Sequence, residues 1–495
     1  MEVKFQKTAI SCLQTHMQRT QTQEQTQQVR LPETLPDVGR VLAGWGQVLL
    51  RGKEWHSDSV SVSGGVKTWV LYEPEDGTAV RCVESWLPFQ MKWDMPEADR
   101  DGTLILCPGR PKVDARMLSD RKLMVRAGIC MEARAMILSD CELYTPEDVP
   151  QDVQLLQNTY SMLLPTEAGE NAFQIEQNIA IPSGEQPIRT LLRYTLSPTL
   201  TESKIVADKL VYRGYGEVHL LYIGTDERLH SWSTQVPFSQ YTQLEEQYDS
   251  GGEVQVCFAV TELEAELGED GSVMLKAGIT AQYVLYDRKW ITVVEDMYSP
   301  NRSVKPQLSQ LQLPSVLDVQ THTVRAEGMP DPVPAQLLDA VFYGDPPYLQ
   351  AENDQVRAEL SGEFLMLGVD DEGAYCVANC RWDDTWIIPA SQDAEVSVRV
   401  ENIGIPQNTG SGMKTEVSLQ AVTEARKPIY TVTGAELGEL TEPDPERPSL
   451  ILCRAREESL WELAKRCGST VEAIQKLNAL QQEPDPNQLL LIPVI

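Results

Sequence analysis

One feature constrains this chain more than any other: it repeats itself at an offset of 150 positions, so one structural unit is used more than once. Pro32 and Leu42 of VRLPETLPDVGRVL return as Pro182 and Leu192 of IAIPSGEQPIRTLL. Leu71 and Tyr72 return as Leu221 and Tyr222, and Val125, Ala127, Gly128 and Ile129 of LMVRAGI answer Leu275, Ala277, Gly278 and Ile279 of VMLKAGI. WLPF, ending at Phe89, matches QVPF, ending at Phe238, one residue short of the offset. A more drifted third copy aligns Leu337 and Leu338 with Leu191 and Leu192, and Gly362 and Glu363 with Gly216 and Glu217. It carries Gly368 where the others have tyrosine, and Trp382 near the place of the Pro-Phe pair.

Within each copy the pattern is that of strands. VSVSGGVKTWVLYEPEDGTAVRCVESWLPF alternates small-polar and apolar residues around an EPEDG turn. Its counterparts turn at GTDE and DDEG, where Gly tolerates positive φ and Asp satisfies turn backbone. The expected fold class is mainly β: tandem β-rich, sandwich-like repeat domains followed by a small βααβ domain. Polar, proline-bearing joints are expected around Pro146 and Pro150, around Pro300 and Pro306, and around Pro443 and Pro448. The Gln/Thr-rich stretch from Gln18 to Gln28 reads either as a disordered arm or as an edge strand.

At the C-terminus, Leu460, Leu463, Ala464 and Cys467 follow i, i+3, i+4, i+7 spacing and define one helical face. Ser459 with Glu462 forms a capping box, and Gly468 ends the helix. Ser469 with Glu472 opens a second helix, whose buried face would carry Val471, Ile474 and Leu477. LILC from Leu450 and LLLIPVI from Leu489 flank the pair as short strands.

With Leu460 and Trp461 opening the first helix, Asn478 closing the second and PNQLLLIP at the end, this segment resembles the LysM family. The resemblance implies a groove between the loop before the first helix, here Arg456, Glu457, Glu458 and Ser459, and the loop after the second, Asn478, Ala479, Leu480 and on to Gln488. Where that family has Gly-Asp-Thr, this chain has Glu457, Glu458 and Ser459. The lost glycine and added charge count against an uncharged glycan. Trp461 has two readings, as a cap on a small core or as an anchor beside the groove.

The repeats, with LPETLPDVGRVL, VLYEPEDGTAVRCVESWLPF and ADKLVYRGYGEVHLLY, resemble the SPOCS domain of SipL-type spore coat morphogenetic proteins, which join such repeats to a C-terminal LysM. The resemblance implies SPOCS-like domains over 1–148 and 149–305, a divergent third over 306–442, and a LysM domain over 449–495. It also implies a mother-cell scaffold at the forespore surface that docks the coat to a basal layer built by a SpoIVA-like ATPase. The alternative is a binder of peptidoglycan or spore-cortex glycan.

Composition narrows the partners. With 495 residues and a net charge of −31, the chain would repel nucleic-acid phosphates and anionic lipid. Its opening lacks the apolar core, about 7–15 residues, of a signal peptide, and no segment approaches the roughly 18 apolar residues of a membrane span. The expectation is a soluble chain kept where it is made, with its ten cysteines reduced. No nucleophile motif surrounds any of the five histidines, and His219 reads as a satisfied strand residue. Cys376 and Cys380 lack a second pair at zinc-site spacing. GWG at Gly44–Gly46 and NTGSGMK ending at Lys414 lack phosphate-loop spacing. No enzyme activity, metal or cofactor is expected.

Overall fold

The structure, a computed structural model, describes all residues except 1, 249–250, 312, 314–315, 331–332, 393, 410–411, 426–427, 442–447, 456–457 and 486. The first third holds β1 (Glu2–Arg30), β2 (Val38–His56), β3 (Ser59–Pro74), β4 (Arg81–Asp94), β5 (Thr103–Pro108), β6 (Lys112–Ser119) and β7 (Lys122–Glu147). The second holds β8 (Gln154–Ile179), β9 (Ile188–Val206), β10 (Lys209–Gly224), β11 (Leu229–Gln243), β12 (Glu253–Leu267) and β13 (Val273–Tyr298). The third holds β14 (Val304–Leu311), β15 (Val316–Gly328), β16 (Gln336–Gly344), β17 (Tyr348–Glu352), β18 (Gln355–Val369), β19 (Tyr375–Pro389), β20 (Ala394–Ile403), β21 (Gln407–Asn408), β22 (Met413–Ala425) and β23 (Ile429–Leu437). After these come β24 (Leu450–Arg454), α1 (Leu460–Cys467), α2 (Val471–Asn478) and β25 (Leu489–Pro493). The chain is therefore mainly β. Among the described residues no helix is long and apolar enough to cross a membrane.

The three acidic turns fall where the sequence places them, between β3 and β4, β10 and β11, and β18 and β19. Strand lengths follow the sequence offset: β2 and β9 each have 19 residues, β3 and β10 each 16, and β7 and β13 each 26. In each third a long antiparallel pair faces a hairpin sheet. In the first, β1 pairs with β7 from Lys4↔Glu147 to Arg30↔Lys122, and in the second β8 pairs with β13 from Gln154↔Tyr298 to Ile179↔Val273. The third carries the pairing as two shorter ladders, β14 with β23 and β15 with β22.

Period-two patterning builds each core. Val125, Ala127, Ile129, Met131, Ala133 and Ala135 of β7 point to one face and meet Val60 and Val62 of β3 and Phe89 and Met91 of β4. Leu275, Ala277 and Ile279 of β13 do the same against Val218, Leu220 and Phe238. Val417, Leu419 and Ala421 meet Phe364, Met366 and Ile388 in the third. Gly64 and Gly214, related by the offset, are required by close approach. An added Cβ would lie 2.4 Å from the Leu49 carbonyl oxygen in one and 2.0 Å from that of Thr199 in the other, with Phe89 and Phe238 closing over them.

The hairpin strands are apolar on their other faces too, because the three sheets converge. Leu71, Leu221 and Leu367, at matching places in WVLY, LLYI and LMLG, share one central cluster with Trp45, Leu192 and Ile223. Each third touches both others: Lys67 Nζ donates to Tyr194 Oη at 2.6 Å, Ser231 Oγ to the Leu338 carbonyl at 2.7 Å, and Arg40 Nη2 to the Tyr375 carbonyl at 2.8 Å. The start of β1 adds to the edge of β23 through Glu2↔Glu436 and Val3↔Ala435, tying the first third to the last. The Gln/Thr-rich stretch is an ordered strand paired along one side only, with β7, which is the edge-strand reading of the sequence, and its polar side chains are exposed or half-exposed. Pro146 and Pro306, expected in joints, lie inside ladders opposite Phe5 and Ala435. Residues 442–447, with Pro443, lie outside the described residues.

Cysteine chemistry departs from expectation at one pair. Cys107 and Cys257 form a disulfide with Cα atoms 6.3 Å apart, while the other eight cysteines are in no disulfide. The reason is positional: β5 and β12 run side by side between the first two thirds, which brings residues 150 positions apart face to face.

At the convergence lies a buried charge cluster. Arg193 Nη1 donates to Asp339 Oδ2 at 2.8 Å, both side chains 1% exposed, and His219 Nε2 lies 2.6 Å from Asp339 Oδ1. Burial alone would push the Asp339 carboxyl up, but the Arg193 guanidinium and the His219 imidazole hold it well below the usual carboxylate range. Asp339→Asn leaves Arg193 uncompensated, so a loss of about 3–5 kcal/mol is expected in urea unfolding. Asp345→Asn, whose pair with Lys112 is half-exposed, should change stability by less than about 1 kcal/mol. Because the folded carboxyl is depressed, its contribution is complete above the unfolded value, near pH ~4, and is lost as pH falls below it. The stability gap between wild type and Asp339→Asn should accordingly shrink on acidification from about pH 6 to about pH 3.

Candidate functional site: the C-terminal helix pair

The capping box that opens α1 is present. Glu462 N–H donates to Ser459 Oγ at 3.2 Å, Ser459 N–H donates to Glu462 Oε2 at 2.9 Å, and Gly468 ends the helix at φ 64°. The second helix starts differently from expectation. Thr470 is its cap, taking the Ala473 N–H at 3.2 Å, while Ser469 is fully buried. Its buried face is also narrower, with Ile474 buried, Val471 half-buried and Leu477 46% exposed, because a two-strand sheet covers only one stripe of a two-turn helix.

That sheet pairs β24 with β25 from Leu450↔Pro493 to Arg454↔Leu489. Ile451, Cys453, Leu490 and Ile492 face the helices and form one core with Leu460, Leu463, Ala464 and Ile474. By alternation Leu450, Leu452, Leu489 and Leu491 face outward and stay exposed.

Most polar groups of the expected groove are spent within the module. Asn478 Nδ2 donates to the Leu491 carbonyl at 2.7 Å and its Oδ1 accepts the Leu491 N–H at 2.8 Å, so it extends the ladder of β25. Glu458 pairs with Arg466 at 2.6 Å, and Ser459 is used as a cap. Ala479 holds the left-handed turn at φ 54°, and half-buried Leu480 packs on the core. Gln488 Oε1 accepts the Asp485 N–H at 3.0 Å, and its carbonyl accepts the Ala455 N–H at 2.8 Å. Arg456 and Glu457 lie outside the described residues. Sequence reasoning passed over Glu483, whose Oε2 accepts the Leu460 N–H at 2.8 Å and so ties the loop after α2 to the start of α1.

Trp461 packs half-buried against the small core, as the first of its two sequence readings has it, and also reaches beyond the module. It faces the end of β13, where its ring packs edge-on against Tyr298 with centroids 4.7 Å apart and its Nε1 donates to Asp296 Oδ2 at 2.8 Å. Lys465 Nζ joins the same carboxylate at 2.6 Å. Tyr298 Oη donates to the Ser469 carbonyl at 3.0 Å, and burial pushes that phenol up to about 12, which keeps it a donor at neutral pH. The module is therefore seated on the second third through Asp296 and Tyr298.

One row elsewhere has the order of a nucleophile relay. His219 Nδ1 is 2.7 Å from Ser233 Oγ, with Asp339 on the far nitrogen. Asp339 is shared with Arg193, whose guanidinium stacks 4.3 Å over Trp45, so the carboxylate clamps the second third to the third instead of serving one base. Among the described residues no group of three or more His, Cys, Asp or Glu side chains gathers as metal ligands.

Asp296→Ala should release the seat without unfolding the module, whose core does not use that residue. Limited proteolysis of the segment between Leu437 and Leu450 should then quicken several-fold, with helical circular dichroism retained. Leu460→Ala is the contrast, because truncating a buried leucine costs about 2–5 kcal/mol and unfolds so small a core. Unchanged proteolysis in Asp296→Ala would mean that the seat carries no weight.

Compared with known proteins, the chain matches the family model described as SipL, SPOCS domain, over residues 187–268. The match runs from the start of β9 through β12. No curated protein matches the chain, and no solved structure matches it.

Proposed function

We propose that the chain is a non-enzymatic, SipL-like scaffold of the spore coat. Its three β-rich thirds are SPOCS-type repeats, and its C-terminal helix pair is a LysM module that docks on a SpoIVA-like basal-layer ATPase at the forespore surface, in the mother cell. The observation that carries this reading is the SPOCS match over 187–268, together with strands that recur at the sequence offset in the first third. A docking role for the module fits its chemistry better than glycan binding. Amide and carboxylate groups of the groove are bonded internally, whereas four leucines stand exposed on the sheet face. A folded body carrying such a module gains effective concentration on a coated surface without strong single contacts.

The test is a pulldown of the purified chain against the basal-layer ATPase and against insoluble peptidoglycan. Retention by the ATPase is expected, lost in Leu452→Asp with circular dichroism unchanged. Retention by peptidoglycan alone would establish the glycan reading. Turnover of peptidoglycan or nucleotide, abolished by substitution of one cavity residue, would refute the scaffold.

A further inference from the structure

Where β2, β9 and β16 meet, a cavity of about 260 Å³ opens beside the buried charge cluster. One water needs only ~10–15 Å³ by such a measure, and ligand pockets begin near ~300 Å³, so the space is that of a small molecule. Its walls combine apolar side chains from all three thirds, among them Val48, Leu196, Phe258 and Val341, with three guanidinium groups, Arg110, Arg193 and Arg399.

Arg399 is paired with Glu401, whereas Arg193 and Arg110 have capacity left over. Arg193 is 1% exposed and gives Nη1 to Asp339, but its Nε and Nη2 are buried without a hydrogen-bond partner, as is the Nε1 of Trp45 beneath it. Buried donors in native proteins are almost always satisfied, so three orphans at one cavity wall mark a place for an acceptor. Arg110 donates to the Phe342 carbonyl at 3.0 Å and, at longer range, to the Ile403 carbonyl and Ser197 Oγ. Among the described residues no carboxylate lies within ion-pair distance of it. Burial is the main cause that pulls Arg110 below its ordinary value, with the neighbouring Arg193 charge adding to it and Tyr343 and Glu217 opposing it, so the opposing carboxylate does not make up for the lost hydration.

The wall also has carboxylates, but they are engaged. Glu401 pairs with Arg399 at 3.3 Å, Asp345 with Lys112 at 3.1 Å, and Glu132 accepts from Gln18 at 2.8 Å. Burial pushes the Glu217 carboxyl up while Arg110 and His219 draw it down, and it lies beyond ion-pair distance of either.

We propose that this cavity binds a small organic oxyanion, a carboxylate or phosphate group carried on an apolar body. Arg110 would neutralise the anion, and the free N–H groups of Arg193 and Trp45 would fix its oxygens. Charge-assisted bonds from guanidinium suit either head group, and the apolar walls favour a ring or short chain behind it.

Isothermal titration calorimetry on the full chain tests this with benzoate and phenyl phosphate, against acetate and inorganic phosphate as bodiless controls. One-to-one binding of at least one aromatic anion is expected, about tenfold or more tighter than its control. Arg110→Gln should weaken it by about tenfold or more, and Arg110→Lys by less, both with unchanged circular dichroism. Ser197→Phe fills the space without removing a charge and should abolish binding, which keeps the test decisive if Arg110→Gln does not fold. No heat with any anion at ~10 mM, or equal binding in wild type and Ser197→Phe, would overturn the proposal. Bodiless anions binding as tightly as the aromatic ones would reduce the site to an adventitious ion only.

Discussion

The fold turns on a charge placed where apolar residues would be expected. At the point where three hairpin sheets meet through Leu71, Leu221 and Leu367, matching positions two residues from the aligned Trp45, Thr195 and Val341 carry Ala43, Arg193 and Asp339. Desolvating two ions costs several kcal/mol each, and the attraction between them offsets this only when the geometry is good. The cost has a structural return. Three similar units around a purely apolar centre would pack equally well in several relative arrangements, whereas only one juxtaposition places Arg193 against Asp339, with His219 and Ser233 completing the row. The ion pair thus acts as a register device between the second and third units.

Everything outside that centre follows from using both faces of the hairpin strands. One alternation fills each unit's own core, and the other is buried by the neighbouring units, so the runs WVLY, LLYI and LMLG read as almost unbroken hydrophobic stretches. The long strands have one protected face, and their exposed side is where the Gln/Thr-rich and acidic sequence sits. Closure through β1 and β23 gives the first residues of the chain an ordered partner more than 400 positions away. The terminal helix pair, too small to be sheltered by its own core alone, uses Asp296 and Tyr298 at the end of β13 as its seat.

Features governed by local spacing were legible in the sequence. The offset of 150, the three acidic turns, the first capping box and Gly468 depend on neighbours within a few residues, or on direct self-comparison. Long-range pairings left no local signal. Trp461 meets a carboxylate 165 positions away, and Asn478 reads as a groove residue until its amide is seen clamping Leu491. The disulfide was legible in principle, since Cys107 and Cys257 are separated by the offset itself, but nothing in the sequence said that matching strands would run side by side. Ser469 and Thr470 are equally good caps chemically, and burial of Ser469 decided between them.

The net charge of −31 is carried by a chain that uses part of its cations inside. Cations of the first third are drawn into the seams. Lys53 reaches Glu170 and Gln282, Lys67 reaches Tyr194, Arg110 reaches Phe342, and Arg134 reaches Tyr286 and Glu424. These side chains hold the units together from one side, and their charges are screened from solvent by the units they join. The surface keeps exposed ion pairs such as Lys7–Glu142 and Arg189–Glu227, but carboxylates outnumber cations over the whole chain, a field that repels acidic partners and favours encounter with basic ones. The exposed leucines of β24 and β25 are short-range contacts that such an encounter could complete, so selection of a partner divides between a long-range field set by the body and a contact surface set by the terminal module.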